Sequence, residues 1–322
     1  MMKQPYIIAE AGFNHDGDMD QACRMIEEAA KAGADAIKFQ SFRAEDLCTR
    51  TSEHYQLIKK GEISRDNHRM LIECASRCGI DFLSTPYGQE SADLLDELGV
   101  GAFKVASMDL TNIPFLAHLA AKDKKIYLST GMSLICEIDQ AVSVLIENGA
   151  REIVLLHCIS NYPAAPEDLN LLILETLRKI WKLPVGYSDH SLGIYSALAA
   201  TALGAEVVEK HFTLDKNLPG PDHKIAADPA DLSLLVKGCR EIAKCLGAGV
   251  ISPARADRAN ATVFRRGIYA ARKIEAGEIL QMDMLKFIRP ADTLSPGDVK
   301  FILGRKARKT IEEDTPVRPE FF

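Results

Sequence analysis

The segment 184–212 begins with Pro-Val-Gly-Tyr-Ser-Asp-His (184–190) and ends with Val-Val-Glu-Lys-His-Phe (207–212). Each apolar run predicts a buried strand, and the chain between the two runs is long enough for one crossover helix. If both strands belong to one parallel sheet, His190 and His211 lie together at the carboxyl ends of neighbouring strands. In barrel enzymes, that end of the sheet carries the catalytic residues.

The same alternation of strands and helices extends over most of the chain. Apolar residues that recur every three to four positions predict amphipathic helices between most of the strands. Eight βα units over about 250 residues are typical of a TIM (β/α)8 barrel, so we predict this α/β fold for residues 1–249. An open, doubly wound sheet is the alternative, although no Gly-x-Gly-x-x-Gly motif follows the first strand. The predicted strands are 6–12, 36–42, 81–86, 102–107, 125–131, 152–160, 184–191 and 207–213.

Two irregular segments interrupt the alternation. Residues 43–65 are longer than an ordinary loop after a strand, which predicts a lid or a substrate loop on the catalytic side of the barrel. Residues 215–229 follow the eighth strand and are too rich in Pro and Gly for a helix. We therefore expect this second segment to border the pocket.

The pattern changes after residue 249. Residues 250–263 form a polar, Arg-rich segment without a recognisable helix or strand, and we interpret them as a linker. Residues 264–322 predict a small β-rich domain with short strands at 267–271, 275–278, 284–288 and 306–311. Because so small a module has a thin core, we expect it to pack against the barrel or against another subunit.

Composition excludes several classes of protein. The 322 residues are 47% hydrophobic and 26% charged, which is typical of a globular protein. No uninterrupted apolar stretch of about 18 residues appears and no secretory signal pattern precedes the first strand, so we predict a cytoplasmic protein without a membrane partner. The eight cysteines form no Cys-x-x-Cys pair, and we assign them neither a zinc site nor a disulfide.

The net charge of −6 is unevenly distributed. Residues 262–322 carry 12 Lys and Arg against 9 Asp and Glu, whereas the rest carries 27 against 36. Nothing in this distribution resembles the basic stripe of a nucleic-acid-binding protein, so we predict no nucleic-acid partner. A phosphorylated substrate would have to be bound by individual lysines and not by the overall field.

Polar and charged residues are unusually frequent at the predicted strand ends. They include Glu10, Lys38, Thr85, Lys104 and Ser107. The interior of a barrel is normally filled by branched apolar side chains, and one lysine there could be explained by an ion pair or by a long side chain that reaches solvent. Two lysines on different strands, with hydroxyl groups nearby, instead predict a site for an anion that carries both phosphate and carboxylate.

His190 and His211 predict a metal site. Either histidine alone is more often a core residue than a ligand, but two imidazoles at adjacent strand ends, with Glu10 or Asp109 to complete the sphere, suit a divalent cation. Mn²⁺, Mg²⁺ or Zn²⁺ in such a site would act as a Lewis acid on a carbonyl group. Strand alternation places Lys210 on the opposite face, where we expect a structural role.

Three further residues near these motifs are interpreted as packing residues. His157 and Cys158 lie on the sixth predicted strand and are assigned to the core. Met132, which follows the fifth strand, is also assigned to packing, because methionine fills core gaps more often than it takes part in chemistry.

Seven motifs occur together over the barrel part of the chain. They are Ile-Ala-Glu-Ala-Gly-Phe-Asn-His (8–15), Ala-Gly-Ala-Asp-Ala-Ile-Lys-Phe-Gln (32–40), Leu-Ser-Thr-Pro (83–86), Leu-Ser-Thr-Gly-Met (128–132), Gly-Tyr-Ser-Asp-His-Ser (186–191), Glu-Lys-His-Phe-Thr-Leu-Asp (209–215) and Gly-Pro-Asp-His (220–223). In these motifs the chain closely resembles the sialic acid synthase family. Its members make N-acetylneuraminic, legionaminic and pseudaminic acids and include proteins of spore-coat polysaccharide synthesis. Residues 264–322 resemble the family's antifreeze-like (SAF) domain.

The resemblance implies a metal-dependent condensation of phosphoenolpyruvate with the aldehyde of an open-chain N-acetylated hexosamine, with release of phosphate. The metal, most often Mn²⁺, would be bound by His190 and His211. Glu10 would contact the sugar and transfer a proton. The family also implies a domain-swapped homodimer. Residues implied to bind phosphoenolpyruvate are Lys38, Thr85, Lys104, Ser107, Ser160 and Ser188, and those implied to bind the sugar are Asp109, Tyr162, Asp222 and Arg289, the last from the partner subunit.

Departures from the family pattern leave the acceptor sugar open. Asp109 stands where many members have Glu, the segment after the sixth strand reads Ile-Ser-Asn-Tyr (159–162), and segment 43–65 is shorter than in typical members. One alternative is a 3-deoxy-aldulosonate synthase that uses a sugar phosphate, although the terminal module and Arg289 argue against it. The other is a non-catalytic carbohydrate-binding protein that has kept the fold, against which the intact lysine and histidine positions argue.

Overall fold

The computed structural model describes residues 4–220, 222–291 and 293–322. Contacts within the chain divide it into two compact units, Met1–Ala248 and Gly249–Phe322. The first unit contains all of the predicted strand–helix alternation, and the second contains the small β-rich module.

Eight parallel strands close into a barrel in sequence order, and the first strand pairs with the eighth. This topology confirms the TIM barrel and excludes the open, doubly wound sheet. All eight predicted strands exist, but six of them end one to three residues earlier than predicted. The strands are β1 (Tyr6–Gly12), β2 (Ala36–Ser41), β3 (Asp81–Pro86), β4 (Ala102–Val105), β5 (Lys125–Ser129), β6 (Ile153–His157), β7 (Val185–Asp189) and β8 (Val207–His211).

The helices surround the barrel, and the longer ones bury an apolar side against it, whereas the short third helix buries no residue. Their ends follow ordinary capping chemistry: the Asp18 carboxylate accepts from two backbone amides of the first helix, and the Ser64 hydroxyl accepts from one of the fourth. The helices of this unit are α1 (Met19–Ala32), α2 (Ala44–Leu47), α3 (Tyr55–Lys60), α4 (Arg65–Cys78), α5 (Gln89–Glu97), α6 (Ile113–Ala120), α7 (Ile135–Glu147), α8 (Ile173–Trp181), α9 (Tyr195–Ala202) and α10 (Pro229–Leu246).

The barrel interior changes character along its axis. At the amino-terminal half, the inward side chains form an apolar cluster that includes Ile8, Leu83, Tyr127, Leu156 and Val207. Two residues further along most strands, the inward positions are polar or charged. Strand register makes several of these polar positions direct neighbours, because Glu10 pairs with both Lys38 and His211, and Ser188 pairs with Glu209. The apolar half therefore forms a floor under a polar chamber.

The C-terminal unit contains less regular β-structure than the sequence predicts. Strands β9 (Gly267–Ala270) and β10 (Leu285–Ile288) form an antiparallel pair around a core that includes Ile268, Ile274 and Val317. The predicted strand at 275–278 is a turn, and the one at 306–311 takes part only in isolated bridges. In so small a unit, short loop segments supply most of the core, which explains why few residues form extended ladders.

The segment interpreted as an irregular linker is also different from the prediction. Helix α11 (Arg255–Phe264) occupies most of residues 250–263, so the prediction that they lack a helix is wrong. None of its residues is buried within the unit, and its polar, Arg-rich composition led to its interpretation as a linker.

Within the ranges that the structure describes, no helix is long and apolar enough to cross a membrane. The cytoplasmic location stays a prediction. All eight cysteines are free thiols.

Candidate active site

A cavity of about 400 Å³ opens at the carboxyl ends of the barrel strands, at the polar chamber described above. Most of the residues predicted for the site line this cavity, although they come from widely separated parts of the chain. They are Glu10, Lys38, Thr85, Lys104, Ser107, Ser160, Tyr162, Ser188, His190, His211 and Asp222.

Lys38 and Lys104 are held in a buried cluster of charges. The Lys38 ammonium lies 2.9 Å from a Glu10 carboxylate oxygen, 3.4 Å from one of Glu209 and 3.1 Å from the Thr85 hydroxyl. The Lys104 ammonium lies 3.2 Å from the other oxygen of Glu209. All four charged side chains are 3–6% exposed. The buried end of the cavity is thus a group of two cations and two carboxylates that is almost completely shielded from solvent.

The protein environment shifts the pKa values of these groups in different directions. Burial raises the pKa of Glu10 to about 7, against the opposing effect of Lys38. Burial would also raise the pKa of Glu209, but Lys104 and Lys38 outweigh it and hold that pKa below its usual range. Burial lowers the pKa of Lys104. One carboxyl is therefore ionised while the other can carry a proton near neutral pH.

Glu209 is a site residue that the sequence interpretation missed. It was counted as part of an apolar strand, yet its carboxylate bridges the two lysines and accepts a 2.8 Å hydrogen bond from the Ser188 hydroxyl. The two-residue alternation of side chains along a strand could have identified Glu209. If His211 faces inward, the residue two positions before it must also face inward. Gln40 was missed for the same reason, and its amide lies 3.2 Å from Glu10.

His190 and His211 lie together, with ring centroids 5.5 Å apart. Nδ1 of His190 donates a 2.7 Å hydrogen bond to the backbone carbonyl of Ile159, which leaves Nε2 with a free lone pair in the neutral ring. Burial lowers the pKa of His190, and burial together with His190 and Lys38 holds that of His211 well below its usual value. Both imidazoles are therefore neutral at pH 7.

Two neutral imidazoles with available nitrogens fit a divalent cation, and a buried nitrogen, Nδ1 of His211, lacks a hydrogen-bond partner in the described structure. An Asp222 carboxylate oxygen lies 3.7 Å from Nδ1 of His211, too far for a hydrogen bond. In the described part of the chain, no group of three or more His, Cys, Asp and Glu side chains is arranged to bind a metal. The predicted completion of the sphere by Glu10 or Asp109 is therefore not seen.

A second group of polar side chains surrounds Gly131, two residues after the end of β5. A Cβ atom at this position would lie 2.7 Å from the Ser160 hydroxyl, 2.8 Å from that of Ser107 and 2.9 Å from the Cys158 thiol. The Gly131 amide donates to the Ser107 hydroxyl at 3.1 Å. The buried hydroxyl of Ser129, which also lines the cavity, has no partner in the described structure. These groups form a small, donor-rich recess.

The mouth of the cavity is formed by aromatic and acidic side chains. The Tyr162 ring lies 4.2 Å from the His190 ring and 5.8 Å from the His211 ring. Asp222 lies on segment 215–229, which borders the cavity as predicted, while Pro221 of the same segment lies outside the described residues. The other irregular segment, 43–65, contains helices α2 and α3 and contributes no lining residue from its described part.

The remaining predicted sugar-binding residues are Asp109, which does not line the cavity, and Arg289, which belongs to the C-terminal unit. Asp109 follows β4, and its buried carboxylate interacts with the Asn112 amide at 3.4 Å, but it is not among the lining residues. Arg289 lies in the C-terminal unit directly after β10, exposed, with its guanidinium 5.9 Å from the Phe264 ring centroid. Their roles toward a sugar stay predictions.

The residues assigned to packing divide into two groups. Lys210 faces away from the cavity and pairs with Asp189 at 2.9 Å, as predicted, and His157 faces the helix layer, where it contacts the Leu169 carbonyl at 2.7 Å. Cys158 and Met132, in contrast, line the cavity. Met132 is 72% exposed, so the prediction that it packs in the core is wrong.

This combination of a closed (β/α)8 barrel and a buried polar cavity at the carboxyl ends of its strands is that of a TIM-barrel enzyme. The NeuB family model matches residues 25–251, and the SAF domain model matches residues 265–322. The chain therefore belongs to the NeuB family and carries a C-terminal SAF domain.

Curated relatives and solved structures agree with this assignment. The chain is 43% identical to the N,N'-diacetyllegionaminic acid synthase of Campylobacter jejuni, over 98% of this chain and 100% of that protein. It is 35% identical to human N-acetylneuraminate-9-phosphate synthase, over 98% and 92%. The crystal structure of the N-acetylneuraminic acid synthetase of Leptospira borgpetersenii superposes with a TM-score of 0.77 at 40% identity, covering 80% of this chain and 90% of that one.

Proposed function

We propose that this protein is a transferase that condenses phosphoenolpyruvate with the aldehyde of an N-acetylated hexosamine, forms a nonulosonic (sialic-type) acid and releases phosphate. The observation that carries the proposal is the shared chamber of Lys38, Lys104, His190 and His211. The chamber contains cationic donors that suit a ligand with both a phosphate and a carboxylate group. It also contains two neutral imidazoles that suit a divalent metal.

Phosphoenolpyruvate is proposed to lie over the lysine cluster and the recess at Gly131. Its carboxylate and phosphate would accept hydrogen bonds from the ammonium groups and from hydroxyl groups at several strand ends. Hydroxyls that converge there come from Thr85, Ser107, Ser160 and Ser188, and Ser129 adds a buried hydroxyl that lacks a partner in the described structure. The site offers cationic and neutral donors together, which suits a substrate that carries both a carboxylate and a phosphate.

The bond changes follow from the two substrates. The methylene carbon of phosphoenolpyruvate forms a bond to the aldehyde carbon, water adds at the carbon that carries the phosphate oxygen, and phosphate leaves with that oxygen. The aldehyde oxygen must gain a proton. Glu10, whose pKa is raised to about 7 by burial, is suited to transfer it. A divalent cation held by His190 and His211, Mn²⁺ by preference, would supply Lewis acidity toward the aldehyde oxygen.

The sugar is proposed to occupy the outer part of the cavity, near Tyr162 and Asp222. Tyr162 offers an aromatic face and a hydroxyl at the mouth, and Asp222 offers a carboxylate on the same side as His211. Such a combination is suited to the hydroxyl groups and the acetamido group of an open-chain amino sugar. Arg289 is proposed to contact the sugar from a partner subunit.

Measurement of phosphate release from phosphoenolpyruvate tests the function directly. The purified protein would be assayed with N-acetylmannosamine, a diacetamido-trideoxyhexose, their 6-phosphates where these exist, and arabinose 5-phosphate, each with Mn²⁺ and with a chelator. We expect Mn²⁺-dependent release with an acetylated amino sugar. Release only with the aldose phosphate would instead identify a 3-deoxy-aldulosonate synthase, and no release with any sugar would favour a non-catalytic relative.

Substitution of either lysine should weaken phosphoenolpyruvate binding. We expect Lys38→Met and Lys104→Met each to raise the KM for phosphoenolpyruvate about tenfold or more, as for the loss of a charge-assisted contact of about 1.5–3 kcal/mol. Steady-state kinetics with both substrates varied would measure this change. Lys125→Met, at the opposite end of the barrel, is the control. A change confined to the KM for the sugar would reassign that lysine to the sugar site.

We also propose that the active form is a domain-swapped homodimer. Exposed apolar side chains gather on the loops that follow β4 to β7, around the cavity mouth, and such a patch is typical of a surface that another chain covers. They are Met108, Met132, Leu134, Tyr162, Leu192 and Tyr195, which are 52–83% exposed in the single chain.

Mixing two inactive variants tests the swap. Arg289→Ala and His190→Ala homodimers should regain about a quarter of wild-type activity after subunit exchange, because about half of the dimers are mixed and each has one intact site. Activity would be followed while native mass spectrometry reports the exchange. If proven exchange restores no activity, Arg289 does not act on the barrel of another subunit.

A further inference from the structure

Two charged residues lie on the outer face of the strands that carry the histidines. Asp189 and Lys210 are direct neighbours across β7 and β8, and each immediately precedes a histidine. Side chains alternate along a strand, so this pair points away from the cavity into the layer between the barrel and α9. Their side chains are 0–1% exposed. The ion pair is therefore fully enclosed by protein.

Asp189 is the centre of a dense hydrogen-bond network. One carboxylate oxygen accepts from the Tyr187 hydroxyl at 3.2 Å and from the Ser191 amide and hydroxyl at 2.9 and 2.7 Å. The other oxygen accepts from the Ser196 hydroxyl at 2.8 Å and from the Lys210 ammonium at 2.9 Å. Lys210 also donates to the backbone carbonyl of Ser191. The network thus connects the residues on both sides of His190 to the residue before His211.

Folding alone does not require an ion pair at this place. The surrounding layer belongs to the apolar core, including Ala197, Ala200 and Val208. Desolvation of two charges offsets most of their mutual attraction, and apolar residues of similar volume commonly give equal or greater stability at such positions. A buried pair with this many partners instead fixes geometry, since each hydrogen bond restricts where the two strand ends can lie.

The two histidines need such a restraint. His190 has one hydrogen bond of its own, to the Ile159 carbonyl, whereas Nδ1 of His211 has no hydrogen-bond partner in the described structure. The position of the His211 ring therefore depends on the backbone of β8 and on what holds that backbone relative to β7. Lys210, the adjacent residue, makes that connection.

We propose that Asp189 and Lys210 are positioning residues that hold His190 and His211 at the separation needed to share one divalent cation. This inference rests on the proposed function, because it takes the two histidines as the metal ligands. Loss of the pair should therefore weaken metal binding while the fold persists.

The test is a double variant that removes both charges and keeps their shapes, Asp189→Asn with Lys210→Met. Titration with Mn²⁺, followed by the electron paramagnetic resonance signal of the free ion, measures binding without any substrate. We expect the dissociation constant to rise about 10–100-fold, as for loss of groups that orient metal ligands. Circular dichroism and Tm would establish that the double variant is folded.

A control removes a different, partly exposed ion pair by analogous substitutions that also remove both charges. Asp35 and Arg240 interact at 3.0 Å on the barrel's outer side, away from the histidines, and Asp35→Asn with Arg240→Met should bind Mn²⁺ as the parent does. An equal loss in the control would overturn the inference, because it would indicate general loosening of the barrel. Unchanged Mn²⁺ affinity in the folded Asp189/Lys210 variant would overturn it and leave the proposed function intact.

Two further outcomes are also decisive. If the parent protein binds no Mn²⁺, the metal site and the inference fall together. If the double variant does not fold, Ser196→Ala decides the matter, because it removes one hydrogen bond to Asp189 and leaves both charges in place. Weaker Mn²⁺ binding at an unchanged Tm then supports the inference, and unchanged binding overturns it.

Discussion

Replacement of His211 by alanine is expected to reduce kcat at least about 10²–10³-fold, the loss typical of removing one group that stabilises charge in the transition state. His190→Ala should have a similar effect, because each variant removes one of the two imidazoles that line the cavity in the described structure. Both proteins should remain folded by circular dichroism. The measurement is phosphate release over a range of Mn²⁺ concentrations.

His157→Gln is the matched control for both histidine variants. His157 is a buried histidine on β6, but it faces the helix layer and contacts a backbone carbonyl that a glutamine amide can also reach. The control should therefore retain its activity and its dependence on Mn²⁺. Near wild-type turnover of either alanine variant at limiting Mn²⁺ would show that the two-histidine site is wrong.

Glu209→Gln is expected to destabilise the barrel by about 3–5 kcal/mol, the usual result of removing one partner of a buried ion pair. The substitution keeps the shape of the side chain but leaves Lys104 without its carboxylate partner. For a unit of this size, the change corresponds to a Tm lowered by about 6–20 °C. Differential scanning calorimetry would measure it.

Inorganic phosphate should partly reverse this loss, because an anion bound beside the uncompensated Lys104 replaces the missing carboxylate charge. We therefore expect phosphate to raise the Tm of Glu209→Gln more than that of the parent. Glu97→Gln, which breaks an exposed pair with Arg65, is the control and should change stability by at most about 1 kcal/mol. Equal stability of parent and Glu209→Gln would mean that the buried carboxylate does not hold the lysines.

The barrel was predictable because its strands and helices follow simple periods. Each strand is a short β-rich run, and each begins within one residue of its predicted start. The ends were less predictable, as for β6, which stops at His157 and not at Ser160. Beyond His157 the chain has left the ladder to form the cavity wall, and no local pattern marks the residue at which a ladder ends.

The site was predictable only where a residue type was unusual for its position. Lys38 and Lys104 were recognised because a lysine in a barrel interior requires an explanation. Glu209 was overlooked because it follows two valines and was counted with the strand. Cys158 was overlooked because a thiol suits both a core and a cavity wall. Only the packing of the segments after β4, β5 and β6 shows that the Cys158 thiol lies at the cavity wall, next to Ser107 and Gly131.

The secondary structure of the C-terminal unit was predicted less accurately than that of the barrel. Turn residues and β-branched residues alternate there, which suggested four strands, whereas the structure pairs only β9 and β10 as a ladder. Helix α11 was overlooked because its polar, Arg-rich composition was taken for that of a linker, although Ala256, Ala259 and Val263 recur at helical spacing.

The close approach of three side chains to Gly131 allows related sequences to be sorted by whether they can form the same recess. Any side chain at this position would push aside the Ser107 and Ser160 hydroxyls and the Cys158 thiol, all of which lie within 3 Å of the place a Cβ would take. A descendant that no longer needs the recess is free to acquire alanine or serine there. We therefore expect that related barrels with a residue larger than glycine at this position have lost their catalytic activity.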